Sequence, residues 1–94
     1  MARFEVVYIQ SGAPEPTIAV VSQTRRWNGA VNEADRYLQD AYDNMKLHCD
    51  ANKVIVGPLI PLVEGQEAYD WAAIEYDPNY DEIVRYRRIL IRRK

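Results

Sequence analysis

The chain has one cysteine, one histidine, one phenylalanine and four glycines among its 94 residues. The lone thiol, Cys49, admits no internal disulfide, so cysteine usage gives no sign of an oxidising compartment. One imidazole and one thiol do not fill a zinc site, and the acids lack calcium-loop spacing, so no metal or other cofactor is expected. Four scattered glycines build no phosphate-cradling loop, and the Gly57-Pro58 step reads as the end of a strand. Long apolar runs are missing too. The longest uncharged stretch, VIVGPLIPLV, is about ten residues and is broken by two prolines and a glycine, against the roughly twenty that a bilayer span needs. MARFEVVYIQ shows no apolar segment followed by a small-residue cleavage site, so a cytoplasmic location without membrane contact is the default expectation.

A catalytic reading has only His48 and Cys49 to start from. Neighbours on a helix point about 100° apart, which hinders both from facing one substrate. They also fall at a helix C-terminus, where the dipole disfavours a thiolate. The expectation is that one closes the apolar stripe of the helix and the other turns to solvent. Acid pairs such as Asp40/Asp43 and Asp77/Asp81 read as solvated surface, and nothing in the sequence predicts a pocket that would tune them. The chain is therefore expected to be non-enzymatic, with no catalytic residue.

What the sequence does have is a modest supply of core residues and a lopsided charge. Residues of the apolar class make up 48% of it, enough for a single domain spanning residues 1–94. Twelve bases against fourteen acids give a net charge of −2, which hides two opposed blocks. Residues 64–82 hold Glu64, Glu67, Asp70, Glu75, Asp77, Asp81 and Glu82 and no base; residues 83–94 hold Arg85, Arg87, Arg88, Arg92, Arg93 and Lys94 and no acid.

The pattern of apolar residues predicts an α+β fold. FEVVYIQ (4–10) alternates Phe4, Val6 and Tyr8 with Val7 and Ile9, and TIAVVSQT (17–24) forms a second strand, joined antiparallel across SGAPEP. TRRWNG (24–29) reads as a loop. A helix follows, capped by Asn28 or Asn32, with Glu33 and Asp35 in its first turn and Lys46 and His48 in its last. Val31, Ala34, Leu38, Ala41 and Met45 make its apolar stripe, flanked by Tyr37 and Tyr42, with Arg36, Asp40 and Asp43 facing water. Asn52 suits the left-handed C-cap. KVIVG (53–57) is a third strand, stopped by Pro58 and Pro61.

Two later segments divide between readings. QEAYDWAAIEY (66–76) has the alanine and glutamate of a helix and the alternation of a strand; strand is favoured. The ending EIVRYRRILIRRK has a helix cap at Asp77-Pro78 but β-branched content, and strand is again favoured, paired as a hairpin with 69–76 around YDPNYDE. In that strand Ile83, Ile89 and Ile91 would face one way and Val84, Tyr86 and Leu90 the other. The expected order is thus β-β-α-β-β-β, a small, mostly antiparallel sheet with one long helix on one face.

Function follows from the surface left over. Arg25, Arg26 and Trp27, together with Arg85, Tyr86, Arg87 and Arg88, interleave bases with aromatics as nucleic-acid binders do. The acidic remainder of the chain opposes a polyanion, so this is the second choice. The first account of the C-terminal arginines is internal pairing with the 64–82 acids, with Glu75 and Asp77 near Arg85 or Arg87. Tyr69 and Trp71 add to a tyrosine and tryptophan count that exceeds what a small core absorbs, and these are interface residues by type. The favoured expectation is a protein–protein interaction module of adaptor or inhibitor type, homodimeric, akin to the accessory proteins with which phages bind and block host machinery.

Overall fold

The computed structural model of the protein describes residues 3–58 and 69–94. The chain runs as β1 (Phe4–Gln10), β2 (Thr17–Thr24), α1 (Trp27–His48), β3 (Val54–Gly57), β4 (Asp70–Asp77) and β5 (Glu82–Arg93), with a turn of 3-10 helix at Ala51–Lys53. This is the α+β arrangement that the apolar pattern predicts. The five strands form one sheet in the order β2-β1-β5-β4-β3, and every neighbouring pair is antiparallel.

That order explains how a hairpin and a meander become one sheet. The 22 residues of α1 give a rod roughly 33 Å long at 1.5 Å per residue. It carries the chain from β2 at one edge to β3 at the other, and the meander β3-β4-β5 then returns inward. The last strand is thereby set beside the first, with Val6 opposite Ile91 and Tyr8 opposite Ile89. β5 is thus a central strand, although it ends the chain.

Ala30, Ala34, Ala41 and Met45 bury the helix face against the sheet. Small alanines let the helix backbone approach closely, and Val6, Ile89 and Tyr69 fill one end of the contact while Val54 and Ala73 meet Ala41 and Met45 at the other. Val31 and Leu38, expected on this stripe, pack at its margin, while Tyr37 and Tyr42 flank it half-buried. Arg36, Asp40 and Asp43 are exposed.

The helix ends differ from expectation. It begins at Trp27, inside the segment read as a loop. Arg26 stands at the cap position with no side-chain cap bond, and the first turn has no acid. An edge-to-face contact between Phe4 and Trp27, centroids 5.6 Å apart, anchors this start in place of an asparagine cap. At the other end Cys49 is the cap, its N–H donating to the Met45 carbonyl at 2.8 Å. Asn52 instead lies in the 3-10 turn, where its N–H donates to Asp50 Oδ1.

Two bulges adjust the register. Val6 faces Ser22 and Val7 faces Val20, leaving Val21 as an extra residue in β2. Glu75 faces Arg85 and Tyr76 faces Ile83, leaving Val84 extra in β5. The second bulge corrects the facing of Ile83: it shares a face with Tyr76 and not with Ile89 and Ile91. Between β4 and β5 the turn is held by the Asn79 N–H donating to Asp77 Oδ1 at 3.0 Å, and Asp81 adopts a φ of 50°, a left-handed conformation that Asp tolerates. The expectations for Pro61, Glu64, Glu67 and the first residues of the 66–76 segment lie outside the described residues.

Candidate functional site

The residues singled out in the sequence divide into two groups that the fold keeps apart. Arg25 and Arg26 are exposed at the joint of β2 and α1, and Trp27, 36% exposed, rests on Phe4. Phe4 also pairs with Arg93, whose guanidinium lies 5.5 Å from the Phe4 ring centre. Arg3, Gln23, Thr24 and Arg25 line a shallow groove of about 190 Å³ beside them. One end of the sheet is therefore basic. Arg87 lies opposite Gln10, at the far end of β1. Six residues along β5 separate it from Arg93, roughly 20 Å at about 3.3 Å per residue. No continuous stripe joins the Arg25-Arg26-Trp27 corner to Arg85, Tyr86, Arg87 and Arg88.

The C-terminal bases are already engaged. Arg85 Nε donates to Glu75 at 2.9 Å, and Arg88 grips Asp70 with two donors, Nε at 2.7 Å from Oδ1 and a terminal nitrogen on Oδ2. Arg87 turns under the helix and donates to Asn44 Oδ1 at 2.6 Å. Arg92 and Lys94 approach the buried Glu5 at 3.4 and 3.8 Å. Glu75 and Asp70 belong to the acidic block, so the internal-pairing account holds for Arg85 and Arg88. Asp77 meets Lys53 at 3.8 Å and no arginine, because the bulge at Val84 shifts the facing at this end. The pairs differ in weight. Arg85, Arg92 and Lys94 are half-exposed, so each of their pairs contributes about 0.2–1 kcal/mol. The Arg88–Asp70 fork is mostly covered, and its hydrogen bonds hold the Arg88 pKa above its ordinary value despite desolvation.

Tyr69 and Trp71 take different parts. Tyr69 is a core residue, 8% exposed, and its hydroxyl donates to Asp35 Oδ1 at 2.7 Å. Trp71 lies opposite Ile89 and is 37% exposed. Tyr86 is half-buried, its N–H donating to Ser11 Oγ and its carbonyl accepting from the Ser11 N–H, both at 3.0 Å. Burial, and then the Asp35 carboxylate, push the Tyr69 pKa well above 10.0. A hydroxyl kept neutral in the fold stabilises fully below pH 10 and loses that contribution as pH rises, because the unfolded chain ionises first. Tyr69→Phe is therefore expected to cost about 1 kcal/mol at neutral pH and to flatten the alkaline fall in stability. Urea unfolding followed at pH 7 and pH 11 checks both.

The structure has one feature that the sequence did not announce. A cleft of about 490 Å³ opens between the C-terminal end of α1, the start of the β1–β2 connection and β5; Met45, His48, Cys49, Ser11, Arg85 and Arg87 are among its lining residues. Cys49 packs on the Met45 cluster and His48 is exposed, as expected, yet both line the same cleft. Its guanidinium groups are held by Glu75 and Asn44. Among the described residues no three of His, Cys, Asp or Glu gather to hold a metal ion.

Outside these groups both edges of the sheet expose apolar residues, Ile55 and Val56 on the short β3 and Ile18 and Val20 on the longer β2. Among the described residues β2 pairs only with β1, and its eight residues, TIAVVSQT, include no charge and no proline. Ile18 and Val20 are 64% and 43% exposed. Natural edge strands are usually blunted by lysine, proline or shortness; β2 has a bulge at Val21. Sequence reasoning found the strand and missed its place at the sheet edge, since strand order is set by the return of β5 beside β1. Among the described residues no helix is long and apolar enough to cross a membrane. Comparison with protein-family models, curated proteins and solved structures finds no match to this chain.

Proposed function

We propose that the chain is a small, non-enzymatic cytoplasmic protein–protein interaction module of adaptor or inhibitor type, and that β2 is its working edge. The observation that carries this reading is the open, uncharged β2 strand with Ile18 and Val20 on its surface. Such an edge offers a row of unpaired N–H and C=O groups to an incoming strand, with side-chain pockets for selectivity. A lysine at Val20 places on that edge the charge that natural edges use to refuse pairing. Val20→Lys is expected to keep the fold, as the Val20 side chain is 43% exposed, and to lose roughly tenfold or more of any partner captured from the native cell. Capture with the wild-type and variant chains side by side checks this; equal recovery of every partner overturns it.

A second reading is favoured by the basic end of the sheet, where Arg3, Arg25, Arg26 and Trp27 lie together. There nucleic acid would meet loose cations beside an aromatic ring, without help from Arg85, Arg87 or Arg88. The expected outcome of an oligonucleotide gel shift at low salt is no complex. A tight complex with a steep salt dependence would reverse the order of the two readings.

A further inference from the structure

We propose that the cleft at the C-terminal end of α1 binds a small oxyanion, the carboxylate or phosphate group of a small-molecule ligand, and that Arg87 is its main contact. The proposal is independent of the reading of β2. Arg85, Arg88 and Arg92 each reach a carboxylate, on Glu75, Asp70 and Glu5. Arg87 reaches none among the described residues. It is nonetheless half-buried, with one terminal nitrogen donating to Asn44 Oδ1 at 2.6 Å. An amide oxygen satisfies that donor and brings no charge. Burial raises the Tyr8 pKa, and Arg87 beside it offsets part of the rise, so the phenol is a second neutral neighbour. The negative end of the α1 dipole, about half a charge spread over its last carbonyls, compensates the guanidinium only in part. A partly covered cation without a counter-charge is costly, and an anion from solution supplies one.

The cleft gives that anion a place. Its volume of about 490 Å³ falls within the roughly 300–1,000 Å³ of small-molecule sites. Its described lining includes two arginines and a histidine and no acid. The Arg87 fork has five N–H donors, in a geometry that matches carboxylate and phosphate alike. Arg85 meets Glu75 through Nε, which leaves its terminal nitrogens as further donors. Ser11 Oγ accepts from the Tyr86 N–H at 3.0 Å, so its hydroxyl proton is left to donate. His48 is exposed and adds a ring N–H. The bulge residue Val84 belongs to the same wall, and bulges commonly re-aim side chains beside a site.

Heteronuclear NMR of the full chain tests the site, with inorganic phosphate and succinate as separate probes. At about 0.15 M sodium chloride, attraction beyond roughly 8 Å is screened. Saturable shifts are expected at the amides of Ser11, Cys49 and Arg87, half complete on the order of 1–10 mM. A response to one probe alone assigns the ligand group as phosphate or carboxylate, and a response to both supports the shared chemistry. Arg87→Gln should weaken binding roughly tenfold or more, while Lys46→Gln, in the same helix turn but outside the cleft, should change it less than about twofold. If Arg87→Gln does not fold, Gln10→Glu decides. Gln10 lies opposite Arg87 and lines the cleft, so a glutamate there supplies the missing carboxylate from within the chain. That variant should unfold at a higher urea concentration and bind phosphate roughly tenfold more weakly. Three results overturn the proposal: no saturable shift up to about 50 mM of either probe, shifts gathered instead at Arg3, Arg25 and Arg26, or an affinity that survives the deciding variant.

Discussion

Ile89→Asp is expected to leave the chain unfolded at room temperature. Ile89 has no exposed surface and sits in β5 between Tyr8 of β1 and Trp71 of β4, in one core cluster with Ala30 and Ala34 of the helix. A domain of this size has a total stability of roughly 5–14 kcal/mol. A carboxylate at this point has no partner to pair with, and the nearest base on its own face of β5, Arg87, is committed to Asn44. Desolvating it, or protonating it and leaving the acid unsatisfied, costs several kcal/mol on top of the lost apolar contact. Ile89→Ala separates the two contributions. It removes the packing alone and is expected to cost about 2–5 kcal/mol, a lower denaturation midpoint with the fold retained. Circular dichroism and urea titration of both variants check this; a folded Ile89→Asp chain would show that β5 is not central.

Asp70→Ala is expected to destabilise by about 2–3 kcal/mol, near the lower end for breaking a buried ion pair because the fork keeps some solvent access. The loss comes chiefly from the guanidinium left behind. Arg88 lies opposite Ile9 and Ala72 in neighbouring strands, and without Asp70 its mostly covered guanidinium loses both of its acceptors. Adding Arg88→Met removes that stranded charge, so Asp70→Ala/Arg88→Met should recover most of the loss. A double-mutant cycle by urea unfolding reads the coupling directly. This is the strongest available check on whether the C-terminal arginines serve the fold. If the fork were incidental, the single and double variants would lie within about 0.5 kcal/mol of the parent.

The fates of particular residues show how much the sequence could say. β1 and β2 were legible to the residue because period-two alternation and a proline-rich connection leave little choice. The strand character of β5 was legible from Ile83, Val84, Ile89 and Ile91 despite a helix-like cap at Asp77-Pro78. The helix start was misplaced because asparagines advertise a cap, whereas a long-range contact between Phe4 and Trp27 sets the boundary. The partners of Arg85 and Arg88 were visible in the opposed charge blocks; those of Arg92 and Lys94 were not, since Glu5 lies at the other end of the chain. Tyr69 looked like a surface residue by type and proved internal, and Arg87 is half-buried and tied to Asn44. Exposure of β2 depends on strand order, which no local pattern encodes. The cleft at His48 and Cys49 depends likewise on where the β1–β2 connection meets β5.

The central claim is that β2 is the working surface and β5 is interior structure. Amide hydrogen exchange, resolved along both strands with and without a protein partner captured from the native cell, tests it most directly. The account predicts slowed exchange confined to residues 17–24, with β5 already protected and unchanged throughout. Exchange in β2 that stays the same when the partner is added, together with new protection along β5 or at Arg25–Trp27 when an oligonucleotide is added, would contradict it.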